Sequence, residues 1–145
     1  MSLFDAIDTA ASGLSAERLR MDVVAENLAN AQTTKGADGQ AYRRKVVVLQ
    51  EATATRFEAT LDGAMSATRA NGVKVAQIAQ DATPNRLVYD PGHPDADARG
   101  YVSMPNVQPV SEMVDLIGAS RGYEANVTVM QTAKQMFSKT LEILR

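Results

Sequence analysis

The sequence predicts a mainly α protein with a small β middle and a coiled-coil seam on the helix at each end. Three observations predict it. Ile7, Leu14, Met21 and Leu28 recur at intervals of seven. Near the other end, Met113, Leu116, Ser120, Tyr123, Val127, Met130, Lys134, Phe137, Leu141 and Leu144 alternate spacings of three and four. That rhythm keeps one stripe on one face of a slightly underwound helix. Finally, six of the nine glycines and four of the five prolines fall within residues 35–105, a distribution that interrupts helix there. Residues 1–34 and 106–145 are therefore expected to be helical, with 35–105 a central β-rich or irregular segment; the two stripes either meet other chains or pack on each other in a closed bundle.

The first helix has its signals in order. Ser2 with Asp5 three places on resembles a capping arrangement, and Asp5 and Asp8 suit the positive end of a helix dipole. Phe4, Ile7, Ala11, Leu14, Met21, Val24, Ala25 and Leu28 then line one side. Gly13 interrupts the pattern at about 1 kcal/mol relative to Ala. Among Ala10, Ala11, Ser12 and Ala16, it suits the close approach of another helix. Gly36 and Gly39 end the segment.

In the middle, residues 42–50 are β-branched and strand-like around Val46, Val47 and Val48. Asn71-Gly72 signals a turn, and Val73, Val75 and Ile78 mark a second strand. Leu87-Val88-Tyr89 and Tyr101-Val102-Ser103-Met104 are shorter third and fourth strands. Residues 57–70 are rich in Ala, Thr and Gly and read as irregular. One small, twisted sheet is expected, marginal without a helical partner. The last helix starts near Pro105-Asn106, with Asn106 as N-cap and Pro109 in the first turn. No proline interrupts it afterwards.

The bulk numbers narrow the function. At 145 residues the chain holds one ordinary domain's worth of core. Aromatics are only 5% and Trp is absent, so that core rests on Ala, Val, Leu and Met. A net charge of −2, from 15 basic and 17 acidic residues, argues against a nucleic-acid partner. No apolar run is long enough for a membrane-spanning segment. There is no cysteine, which removes disulfides and thiolate metal sites. The first residues lack the basic and apolar regions of a cleavable signal, which on its own predicts a cytoplasmic chain.

Chemistry has little to stand on. Asp90, His93, Asp95 and Asp97 lie within eight residues, but His93 is the lone imidazole and a calcium loop's closing Glu is missing. With Pro91, Gly92 and Pro94 among them, a stiff surface turn whose carboxylates cap backbone amides is the better reading. Neither a nucleophile elbow nor a phosphate-cradling loop is present. No catalytic, cofactor-binding or metal residue is expected. Arg43-Arg44-Lys45 reads as a solvated or edge-protecting triplet.

The ends resemble a known family. Asn27-Leu28-Ala29-Asn30-Ala31-Gln32-Thr33 is similar to the N-terminal signature of bacterial flagellar axial proteins of rod, hook and hook-associated type. Glu112-Met113-Val114-Asp115-Leu116-Ile117, followed by Ser120-Arg121-Gly122-Tyr123-Glu124-Ala125-Asn126, resembles their C-terminal counterpart. Within that family, residues 88–107 look like those of a proximal rod member. The resemblance implies a subunit of the basal-body rod, the torque-transmitting shaft in the periplasm, exported through the flagellar type III apparatus without a cleaved signal peptide. It implies that the N- and C-terminal helices, residues 1–34 and 106–145, pair as one coiled-coil assembly domain, and the apolar seams then supply an assembly interface on Ile7, Leu14, Met21, Leu28, Met113, Leu116, Tyr123, Val127, Met130, Phe137, Leu141 and Leu144. Implied partners are other proximal rod subunits, the rod adaptor, membrane-ring proteins and the export apparatus. The alternatives are another rod or hook-family subunit, or a cytoplasmic helical adaptor or export chaperone.

Overall fold

The computed structural model describes residues 3–36, 38–52 and 72–143. The expected Ser2 cap, Asn71, the irregular 57–70 stretch and the seam position Leu144 lie outside the described residues. In chain order the elements are α1 (Leu3–Ala29), β1 (Lys45–Glu51), β2 (Val73–Gln80), β3 (Arg86–Tyr89), β4 (Tyr101–Met104) and α2 (Pro109–Ile143). Two long helices and a minor β component make the protein mainly helical, as its periodicity predicts. At 27 and 35 residues, α1 and α2 extend for about 40 and 50 Å.

The single expected sheet is instead two ribbons, β1 with β2 and β3 with β4. Backbone bonds from Ala52 N–H to Gly72 C=O and from Asp81 N–H to Arg44 C=O, both 2.8 Å, close the ends of the first ribbon. The second is antiparallel, pairing Val88 with Val102 and Tyr89 with Tyr101. The two tyrosine rings meet edge to face, 5.3 Å between centroids, as cross-strand aromatic pairs do. Gly100 precedes β4 at φ +82°, and a Cβ there would sit 2.9 Å from the Tyr89 ring. Only glycine meets both demands.

Two expected boundaries shift. β1 begins at Lys45 rather than residue 42. The Arg44 N–H turns to Asn106 Oδ1 (2.8 Å), so that residue's amide is spent on a side chain. Asn106 is accordingly not the cap of α2. Its amide also donates to Thr83 C=O at 3.0 Å, while Gln108 C=O accepts the first helical N–H, from Glu112. Pro109 then opens α2, where a missing N–H is harmless.

The chain packs as two compact units. Met1–Leu19, Val48–Gln77 and Ala119–Arg145 form one; Arg20–Val47 and Ile78–Gly118 form the other. In the first, α1 and α2 approach closely and antiparallel. A Cβ on Gly13 would lie 2.9 Å from Asn126 Nδ2, and one on Gly122 would lie 3.3 Å from Glu17 Cδ. Gly13 thus serves the close approach expected of it. Among the described residues, Ala10, Ala16, Ala119 and Ala133 are the buried apolar residues of this unit. Ser12 Oγ donates to Thr9 C=O (2.7 Å) and accepts the Val73 N–H (3.0 Å), tying the start of β2 to α1. In the second unit the core holds Val23, Val24, Val102 and Val107, together with two polar residues described next.

Candidate assembly surfaces and a buried polar hub

The largest fully buried side chains include Asn27 and Glu112, each 0% exposed. Burying an amide and a carboxylate costs several kcal/mol unless every donor and acceptor is matched. Here they are. Asn27 Nδ2 donates to Lys45 C=O (2.8 Å) and to Glu112 Oε2 (3.0 Å). Its Oδ1 accepts the Lys45 N–H and the Tyr42 hydroxyl, both at 2.9 Å. Glu112 Oε1 accepts Arg44 Nε, and the same guanidinium reaches Asp115 at 3.1 Å and Asp81 at 3.8 Å. One hub therefore clamps the last turn of α1, the entry to β1 and the first turn of α2.

Electrostatics follow the geometry. The hydrogen bond to Glu112 raises the Arg44 pKa against the opposing pull of burial. Burial, with the negative charges of Glu26 and Glu112, pushes the Tyr42 phenol up to about 12. The Thr83 hydroxyl and amide hold the Asp81 carboxyl below its usual range. The basic triplet is thus not uniformly solvated. Arg44 is half-buried and bonded to Glu112, Lys45 pairs with Glu26 and sits over the Tyr42 ring, and of the three only Arg43 is exposed.

The N-terminal motif resolves into separate duties. Asn27 is the hub. Asn30 stops α1, its Nδ2 donating to Glu26 C=O (2.9 Å) while its Oδ1 accepts the Thr33 hydroxyl (3.2 Å). Leu28 is half-buried and Ala29 exposed. In the C-terminal motif, Glu112 belongs to the hub and Tyr123 is half-buried. Asn126 faces Gly13 and donates to Gly122 C=O at 3.0 Å, while Glu124 and Ala125 are exposed.

The seam residues divide by position. Ile7, Leu14, Met21, Leu28, Leu116, Tyr123, Val127 and Met130 are half-buried; Met113, Phe137 and Leu141 are exposed. Glu112, Ala119 and Ala133 are buried on α2, each one position before a seam residue, Met113, Ser120 or Lys134. Opposite it, Val110, Val114 and Ile117 are 71%, 63% and 53% exposed. Periodicity alone could not separate these faces, because apolar residues occupy both.

The Asp90 to Asp97 stretch is a turn. Asp90 Oδ1 accepts the Gly92 N–H, His93 Nδ1 accepts the Asp95 N–H, and Asp97 Oδ1 accepts those of Arg99 and Tyr101. Asp95 also takes the Thr34 hydroxyl at 2.8 Å. A polar cavity of about 570 Å³ adjoins it, lined by Lys35, Arg43, Asn85, Asp95 and Ser103 among others. No helix among the described residues is long and apolar enough to cross a membrane.

Long helices at both ends of the chain, a buried polar clamp joining them and an apolar outer face define a structural, assembling protein. Residues 7–37 match the family model described as flagella basal body rod protein. Residues 98–143 match that of the flagellar basal body rod FlgEFG protein C-terminal region. Flagellar basal-body rod proteins FlgC are similar over nearly their whole length. That of Bacillus subtilis is 49% identical over 99% of both chains, and that of Yersinia enterocolitica 48% over 99% of this chain and 98% of its own. That of Borreliella burgdorferi is 43% identical over 100% and 99%. The chain belongs to the FlgC family of flagellar basal-body rod proteins. It is a structural subunit of the basal body, not an enzyme and not a free-standing adaptor.

Proposed function

We propose that this subunit builds the proximal part of the torque-transmitting rod by packing its terminal helices, as a coiled-coil layer, beside those of its neighbours. Residues 1–34 and 106–145 act as one assembly domain, and residues 35–105 form the outer segment. The carrying observation is a helix with two apolar faces. One face of α2 is occupied within the chain, while Val110, Val114 and Ile117 stand in solvent. A lone monomer gains nothing from that exposure, whereas an assembly buries it. The seam residues from Ile7 to Leu141 then contribute from both sides, some by shaping the subunit and some by touching its neighbours.

The partners are other proximal rod subunits, the rod adaptor and the membrane ring. The route is the flagellar type III export apparatus, without a cleaved signal peptide, to the periplasm. Subunits related by a rotation and a rise make heterologous contacts, which leave the structure open to growth. Basal bodies purified from cells carrying a tagged copy test the proposal. The tagged chain is expected in the rod fraction, and its deletion is expected to abolish rods and motility. A chain that stays in the soluble fraction while rods form without it overturns the reading.

A further inference from the structure

The hub spends two members of the basic triplet and leaves the third. Arg44 is bonded to Glu112 and Lys45 to Glu26, while Arg43 stays exposed and lines the polar cavity beside the Asp90 to Asp97 turn. Lys35 lines the same cavity, 65% exposed, its ammonium 4.0 Å from Asp95 Oδ1. Arginine, lysine and a carboxylate thus share one wall.

Much of that wall is held in place by its own bonds. Asp95 accepts the Thr34 hydroxyl at 2.8 Å, the Gly36 N–H donates to Gln40 C=O at 2.8 Å, and the Gly39 N–H donates to Gly36 C=O at 3.0 Å. The pair formed by Asn85 and Ser103 is looser. Asn85 Nδ2 lies 3.5 Å from Ser103 Oγ, and Asn85 Oδ1 is buried with no hydrogen-bond partner among the described residues. A donor arriving at this pair would correct the mismatch.

The register of the second ribbon carries the surface outward. Ser103 sits opposite Leu87 and Tyr101 opposite Tyr89, so these four residues share one face, while Val102 on the other face is buried. Leu87, Tyr89 and Tyr101 are all exposed. Tyr101 lies two residues along β4 from Ser103, about 7 Å at strand rise.

This mixture selects a ligand class. Small-molecule sites of about 570 Å³ are ordinarily lined by apolar side chains, but charge, amide and hydroxyl line this one. Arg43 and Lys35 call for an anion, and Asp95 beside them penalises a multiply charged one such as phosphate. Asp95, Asn85 and Ser103 suit hydroxyl groups, and an exposed tyrosine ring suits the apolar face of a sugar. We infer that the cavity and the adjoining tyrosine face bind an anionic saccharide, a chain of sugar rings bearing carboxylates. Arg43 and Lys35 take the carboxylate, Asp95 and the Asn85–Ser103 pair take hydroxyls, and Tyr101 takes the next ring.

The isotope-labelled full-length chain, titrated with a hyaluronan tetrasaccharide and followed by its amide resonances, tests this. Saturable shifts at Lys35, Arg43, Asn85 and Ser103 are expected. Arg43→Gln should weaken binding by about tenfold at an unchanged thermal midpoint. Chitotetraose, which is neutral, and tetraglutamate, which has carboxylates but no sugar, should both bind more weakly. Glucuronate alone should also bind more weakly, because one ring cannot reach Tyr101 as well.

No binding of hyaluronan up to about 10 mM overturns the site, as does binding that Arg43→Gln leaves unchanged. Equal affinity for tetraglutamate or chitotetraose overturns the ligand class, and equal affinity for glucuronate overturns the tyrosine extension. Each of these failures leaves the rod reading intact.

Discussion

The two units hold the same pair of helices together by opposite means. In the Arg20–Val47 and Ile78–Gly118 unit, the contact is polar and directional, with Asn27 and Glu112 fully buried and matched bond for bond. In the other unit it is steric, with Gly13 and Gly122 removing side chains so that Asn126 and Glu17 can come close. A close apolar or small-residue contact tolerates slippage, because neighbouring positions look alike. A hub with four segment-specific bonds on one amide does not. The difference assigns register to the hub and tight approach to the glycines, the division seen when one buried polar residue specifies a helix pairing.

Breaking the hub should have the largest effect. Glu112→Leu strands the Asn27 amide and part of the Arg44 charge, and is expected to destabilise the chain by about 3 kcal/mol. Thermal unfolding should show it as a fall of about 10 °C. A change under 1 kcal/mol would mean that the hub is not what holds this unit.

Overfilling the other unit should do less. Gly13→Leu pushes into Asn126, which is itself held at Gly122 C=O, for an expected loss of about 1–3 kcal/mol in urea titration. A loss equal to that of Glu112→Leu would erase the contrast between the two modes.

The smallest effect sharpens the comparison through pH. The folded Tyr42 phenol is pushed up to about 12, above its ordinary value of 10.0, because burial and the nearby carboxylates favour the neutral form. Its contribution is therefore complete below pH 10 and fades as pH rises toward 12. Stability measured across that window should fall, and Tyr42→Phe should flatten the fall. An unchanged slope would remove Tyr42 from the hub's energetics.

Much of this was legible in the chain. The heptad at the N-terminus and the three-four alternation at the C-terminus predict both helices, because apolar spacing reports which side chains share a face. β-branched runs mark all four strands to within three residues at each end. The pairing of those strands was not legible, since Arg44 leaves the ladder for a side chain 62 positions away. Nor was the rotation of α2. Sequence places Met113 and Ser120 on one seam without saying which way it faces; the bonds of Glu112 to Asn27 and Arg44 hold Glu112 inward, and Ala119 is buried as well. The motif residues Asn27 and Glu112 were conspicuous without revealing that they touch.

Local pattern alone determined the helical character, the broken middle and the family, because those follow from spacing and from residue identities within short windows. Tertiary structure decided which face of each helix is spent inside the subunit and which stays exposed. It also decided that Asn27 bonds to Glu112, 85 positions away, and that Gly13 and Gly122 each face a side chain of the other helix. The physical reason is that a hydrogen bond or a close approach depends on where two distant segments meet, and no periodicity within either segment records that meeting.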